Sequence, residues 1–168
     1  MEEIIKLLMQ NGYTEADSKA MYNNHINWLK KAIVPIYSSS NFRAAVESNR
    51  DQLVILKDVK VVLLRTDNLL PQSVKVNIGY VPNGKTLHPK DLSGVATDLS
   101  GPIEQGVYTD KLANAIRDNL DAVWAMVVAE SIPIAGSDIE VITSSVSDNE
   151  FGKSDYRLYE DEMLKAIK

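Results

Sequence analysis

The rhythm of apolar and polar positions changes twice along this chain. Residues 2–10 carry apolar side chains at helical spacing and stop at Asn11-Gly12, a pair that ends helices in left-handed geometry. Thr14-Glu15-Ala16-Asp17 follows with the form of a capping box, Asp17 standing in for the commoner Glu. Met21, Ile26, Leu29 and Ile33 then fall near helical spacing, and Pro35 with the Ser38-Ser39-Ser40 run marks the end of a second helix. A third is predicted from Asn41, with Phe42, Ala45 and Val46 inward.

The pattern then turns to β. Leu53-Val54-Ile55-Leu56 and Val59 to Leu64 are rich in β-branched residues and predict two strands, with Lys57-Asp58 as the turn between them. Residues 73–81 alternate: Val74, Val76, Ile78 and Tyr80 share one face, and Ser73, Lys75, Asn77 and Gly79 the other. That is the pattern of a half-solvated strand in an antiparallel sheet.

From Pro82 to Val107 turn residues dominate, and a long loop over 82–107 is predicted. It contains a tandem echo, Asp91-Leu92-Ser93-Gly94 and Asp98-Leu99-Ser100-Gly101. Most connections in compact domains run about 4–6 residues, so a loop of this length is expected to lie against a neighbouring chain. Leu92 and Leu99 are its candidate interface residues.

Residues 109–130 read as one long helix. Thr109 is the expected N-cap, Asp110 lies in the first turn and Pro133 follows the end. Leu112, Ile116, Leu120, Val123 and Val127 form its core stripe. The stretch Ala122 to Ala129 has no polar side at all, so it is either a central core helix, the favoured reading, or is covered on one face by another subunit, with Trp124 and Val128, off the stripe, as the further interface candidates. A strand over Ile139 to Val146, another around Tyr156 to Tyr159 and a short acidic helix complete the chain. The expected fold is α+β: N-terminal helices, a mainly antiparallel sheet of four to five strands, and the long apolar helix on one sheet face. We expect a single domain over 1–168, helical over 1–50, with the sheet and helix core over 51–168.

Composition narrows the function. A hydrophobic fraction of 45% and a charged fraction of 24% are those of a globular chain. Cysteine is absent, which removes disulfides, thiolate metal ligands and thiol nucleophiles. A net charge of -5 argues against nucleic acid as the main partner, because phosphate binding needs a concentrated basic footprint. The opening Met-Glu-Glu-Ile-Ile-Lys carries acid where a secretory signal carries base, and no apolar run approaches a membrane span. A cytoplasmic protein that binds no membrane is expected.

One motif invites a catalytic reading. Gly79-Tyr80-Val81-Pro82-Asn83-Gly84-Lys85-Thr86 matches the phosphate-binding pattern G-x-x-x-x-G-K-[ST]. Its chemistry needs a helix to begin at the Lys-Thr, so that backbone amides hold the phosphates. Leu87-His88-Pro89 follows instead, and Asn83-Gly84 is the favoured pair of a tight hairpin turn. Gly79, Gly84, Lys85 and Thr86 are therefore only an alternative cofactor site. His25 and His88 are the two histidines, and His88 with Asp91 and Asp98 shows no recognised metal-ligand spacing. The acids Asp148, Glu150, Asp155, Glu160, Asp161 and Glu162 read as a solvated face.

No catalytic residue, metal or cofactor is assigned on these grounds. The expectation is a non-enzymatic structural or adaptor subunit of a homo-oligomer, of the phage head–tail connector or tail-terminator kind and so within a virion. The alternatives are a nucleotide-binding enzyme using Gly79–Thr86, or a small inhibitor that masks a partner.

Overall fold

The computed structural model describes residues 2–33, 39–49, 52–132, 140–148 and 156–168. Pro35, Ser38, Pro133, Ile139, Glu150 and Asp155, named above, lie outside them. The chain divides into two compact units, Met1–Pro35 and Ile36–Lys168.

The first unit is a helical hairpin, α1 (Glu2–Gln10) and α2 (Glu15–Ile33). Gly12, at φ +94°, supplies the left-handed residue that turns the chain, and the Tyr13 N–H reaches back to the Leu8 carbonyl at 3.3 Å. The capping residues behave as expected: the Asp17 N–H donates to Thr14 Oγ1 at 3.1 Å, and that hydroxyl donates to Asp17 Oδ2 at 2.7 Å.

The second unit opens with a 3-10 turn, Ser40–Ala44, where a third helix was expected. Its main sheet is antiparallel throughout, in the order β2 (Val54–Leu64), β3 (Pro71–Val81), β5 (Trp124–Ser131), β6 (Ile142–Asp148). A small two-stranded sheet pairs β1 (Val46–Ser48) with β4 (Gly84–Thr86). Helices α3 (Pro89–Asp98), α4 (Gln105–Leu120) and α5 (Tyr156–Ile167) complete it. The α+β class and the antiparallel sheet agree with the sequence reading.

The expected turn at Lys57-Asp58 is a bulge within a single strand. The pairing of β2 with β3 shifts between Leu56 and Val59, and Asp58 takes φ +60°. Its N–H is held at 2.9 Å by Oδ1 of Asn77, buried on the neighbouring strand. β3 is half solvated only in its first half: Ser73 is exposed and Lys75 half-buried, whereas Asn77, Gly79 and Val81 are buried like Val76 and Ile78, because Met163 and Tyr156 of α5 belong to a core on the second face there.

The long apolar helix does not exist. Helix α4 ends at Leu120, Asp121 adopts left-handed geometry at φ +51°, and residues 124–131 form a central strand. Ala125, Val127 and Ala129 enter the large core that includes Leu112, Ile116 and Leu120 of α4. Trp124, Met126 and Val128 enter a second core with Tyr156 and Met163 of α5. A strand covered on both faces is apolar at every position, so its sequence has no period to separate it from a buried helix.

The long loop is likewise mostly structured. Pro89, read as a helix breaker, is the first residue of α3, where a missing N–H costs nothing and a fixed φ suits the helix. His88 caps it, its Nδ1 accepting the Lys90 N–H at 3.2 Å. The strand expected around Tyr156 to Tyr159 is the first turn of α5.

Candidate functional site

Two sets of residues named from the sequence find other work. In the Gly79–Thr86 segment, Gly79 lies inside β3 and Lys85 and Thr86 lie in β4, so no helix starts where phosphates would need its amides. Gly84 does take positive φ, +87°, but the strand after it pairs with β1 and not back onto β3 as a hairpin. Thr86 Oγ1 meets the Tyr80 hydroxyl at 2.7 Å, and Lys85 pairs with Asp121 at 3.0 Å. The interface candidates Trp124, Val128, Leu92 and Leu99 are all buried in the chain's own cores. Side chains packed there have no surface to offer a neighbour. Among the described residues no group of three or more His, Cys, Asp or Glu is placed to hold a metal ion.

The polar chemistry concentrates where α4 runs along β6. Gln105, the first residue of α4, is buried, and its Nε2 donates to the Ala129 carbonyl at 2.8 Å and the Val141 carbonyl at 2.9 Å. Its Oε1 accepts from Gln72 Nε2 at 3.2 Å. One turn on, Thr109 Oγ1 meets Ser145 Oγ at 2.8 Å. Further along, Ser147 Oγ donates to Asn114 Oδ1 at 2.7 Å, and Arg117 Nη1 reaches the Asp148 carbonyl at 3.4 Å. This ladder fixes the helix on an outer strand whose inward residues are serine and threonine, where apolar packing alone is poor. None of these contacts was legible in the sequence, where Thr109 was named only as a helix N-cap and Asp148 only as part of a solvated face, because the pairs lie 24 to 36 positions apart. The one local signal was Gly101-Pro102, punctuation just ahead of a helix start.

At the N-terminal end of α4 the ladder leaves groups to spare. Glu104 occupies the cap position without a side-chain bond to the helix amides. A side chain built on Gly106 would meet nothing within 4 Å, so the space beside the first turn is open. The Thr143 hydroxyl, on the β6 face that carries Ser145, is buried with no hydrogen-bond partner. Amides without a side-chain cap at the positive end of a 16-residue helix suit a polar or anionic group. Tyr108, one turn into α4, is a structural element: its hydroxyl donates to the Ala96 carbonyl at 2.7 Å, and burial raises the phenol well above its ordinary range.

The chain is similar in fold or in sequence to several known proteins. No family model matches the chain. The crystal structure of the archaeosine synthase QueF-Like, in its apo form, aligns with 58% of this chain and 94% of its own, at a TM-score of 0.51 and 18% sequence identity. The two share a fold. In sequence the chain is similar to GTP cyclohydrolase 1 of Saccharomyces cerevisiae, 32% identical over 89 residues, which is 52% of this chain and 37% of the yeast protein. It is 33% identical to GTP cyclohydrolase 1 of Rhodopirellula baltica over 82 residues, 48% of this chain and 36% of that protein. With the Coxiella burnetii enzyme of the same name it is 26% identical over 116 residues, 68% of this chain and 63% of that one. The chain thus spans between about a third and two thirds of the relatives it matches.

These relatives overturn the expected function. They are enzymes, and neither they nor the structural neighbour is a head–tail connector, a tail terminator or any virion part. The expectations of a non-enzymatic subunit and of a virion location are both withdrawn.

Proposed function

We propose that this chain acts on a guanine nucleotide, as a hydrolytic enzyme of the GTP cyclohydrolase 1 kind. The observation that carries the reading is the sequence likeness to enzymes of that name from yeast and from distant bacteria. The α4 N-terminus supports it: open space beside Gly106 and helix amides without a side-chain cap offer donors for phosphate or ring polar atoms. Hydrolytic ring opening breaks one C–N bond and adds the elements of one water. The chain's described part in this is to bind and orient the nucleotide.

Calorimetric titration with GTP, using ATP and UTP as controls, tests the binding step. Incubation with GTP, followed by mass analysis, tests the reaction. The expected result is selective GTP binding and a product heavier than GTP by one water, or one derived from it. Gly106→Leu should lose binding with an unchanged melting curve, because it fills open space. Equal, weak responses to all three nucleotides and intact GTP after prolonged incubation would refute the reading. We extend the proposal to a homo-oligomer. The outermost strands, β2 and β6, carry exposed Val62 and exposed Ile142 and Val146, which copies of the chain would cover.

A further inference from the structure

The segment Gly79–Thr86 plays no part in the proposed chemistry, yet it holds a reactive pair. Asn83-Gly84 is one of two Asn-Gly pairs in the chain, and Asn11-Gly12 is the other. An asparagine before glycine can react with its own backbone, because the glycine has no side chain to hinder the approach of its nitrogen. That nitrogen bonds to the asparagine Cγ. The bond from Cγ to the side-chain nitrogen breaks, and ammonia leaves with the proton given up by the backbone amide. Water then opens the five-membered imide at either carbonyl. The products are aspartate and isoaspartate, in which the main chain runs through the former side-chain methylene.

The fold holds the two pairs differently. Asn11 Nδ2 donates to the Leu7 carbonyl at 2.8 Å, and the Gly12 N–H donates to the Met9 carbonyl at 3.1 Å. Attack at this site requires both bonds to break and the end of α1 to open. Asn83 is exposed, and its side-chain amide makes no hydrogen bond among the described residues. A side chain built on Gly84 would meet nothing within 4 Å, so the space around the pair is open. Its flanks are anchored: the Val123 N–H donates to the Val81 carbonyl at 3.0 Å, and the Tyr80 hydroxyl meets Thr86 Oγ1 at 2.7 Å.

We propose that Asn83 is a site of spontaneous conversion to isoaspartate, and that the conversion weakens the pairing of β4 with β1. Ser48 and Gly84 form the terminal pair of that two-stranded sheet. Isoaspartate adds one carbon to the main chain immediately before Gly84, which disturbs the register there. It also places a carboxylate two residues ahead of Lys85. The inference stands apart from the proposed chemistry, since its test involves no nucleotide.

The chain carries its own control. Trypsin cuts after Lys6, Lys19, Lys75 and Lys85, so peptides 7–19 and 76–85 report the two sites from one sample by mass spectrometry with fragment-ion assignment. In the folded full-length protein, aged at mildly alkaline pH, position 83 should convert at least about ten-fold faster than position 11, where two hydrogen bonds must open first. In urea the two rates should converge. Asn83→Gln should abolish the acidic form of peptide 76–85. Hydrogen exchange at residues 84–86 should be faster in the aged wild type than in the fresh protein, and unchanged on ageing in Asn83→Gln. Equal rates at the two sites in the folded protein would overturn the proposal, as would a position 83 that converts only in urea. A rate ratio that persists in urea would also overturn it, because the fold would then have no part in the choice. Unchanged exchange at 84–86 in converted protein would refute the weakening of β4.

Discussion

The two units of the chain solve the same problem in different ways. In the sheet unit, apolar side chains close over one another: β5 sends alternate residues into two cores, one under α4 and one under α5. In the helical unit the sequence is no less apolar, yet Ile4, Leu7, Met21 and Trp28 stay exposed. The hairpin is held in shape by local bonds, the Thr14–Asp17 cap and the turn at Gly12, which act between residues a few positions apart. The sheet unit is held by side chains that meet across the fold. Local bonds define the form of a hairpin, whereas cooperative stability comes from burial.

The sharpest way to break this comparison is to truncate one leucine in each unit. Leu120→Ala removes a fully buried side chain at the end of α4 and should cost about 2–5 kcal/mol in urea unfolding. Leu7→Ala, at a position 59% exposed, should stay within about 0.5 kcal/mol. Similar losses at the two sites would show that the hairpin has a core of its own.

A smaller effect is expected at Tyr108, where the sheet unit buries a polar group. Tyr108→Phe leaves the Ala96 carbonyl without its donor and should cost roughly 1–3 kcal/mol at neutral pH. The pH dependence follows from the raised phenol. Above about pH 10 an unfolded tyrosine loses its proton while the buried one keeps it, so the native state binds more protons. Stability present below that pH is lost as pH rises beyond it. The wild type should therefore weaken in alkali more steeply than Tyr108→Phe, in denaturation followed from pH 8 to 11. Equal slopes would mean that Tyr108 is not shielded.

The smallest effect is expected at the surface of the same unit. The Lys85–Asp121 pair is half exposed on both sides, and Lys85→Ala should change stability by no more than about 0.5 kcal/mol. A larger loss in a thermal melt would give this lysine a part in the fold beyond a solvated ion pair.

What was legible in the sequence follows the same division. The hairpin's turn and cap were readable because their signals lie within four residues of one another. So were the alternation of β3 and the antiparallel class. The second half of the expected helix 109–130 was misread because burial on both faces erases the period of a strand. The break itself falls at Asp121, a residue that tolerates left-handed geometry without advertising it. Pro89 was misread because the same ring that breaks a helix interior suits a helix start. The site at the head of α4 was not legible at all. Gln105, Gln72 and Thr143 are ordinary polar residues, and only the pairing of β6 beside β5 brings them together.

Gly79 looked, in the one-dimensional pattern, like the first glycine of a phosphate loop. In the fold it is the floor under Met163: a β-carbon there would stand 2.2 Å from the methionine sulfur. The two positions are 84 residues apart in the chain and yet share one volume, which neither can enlarge alone. Among descendants of this sequence, a side chain at 79 should therefore appear with a displaced thioether or a smaller residue at 163. The glycine that suggested a ligand is thus an heirloom of packing, passed on jointly with the last helix of the chain.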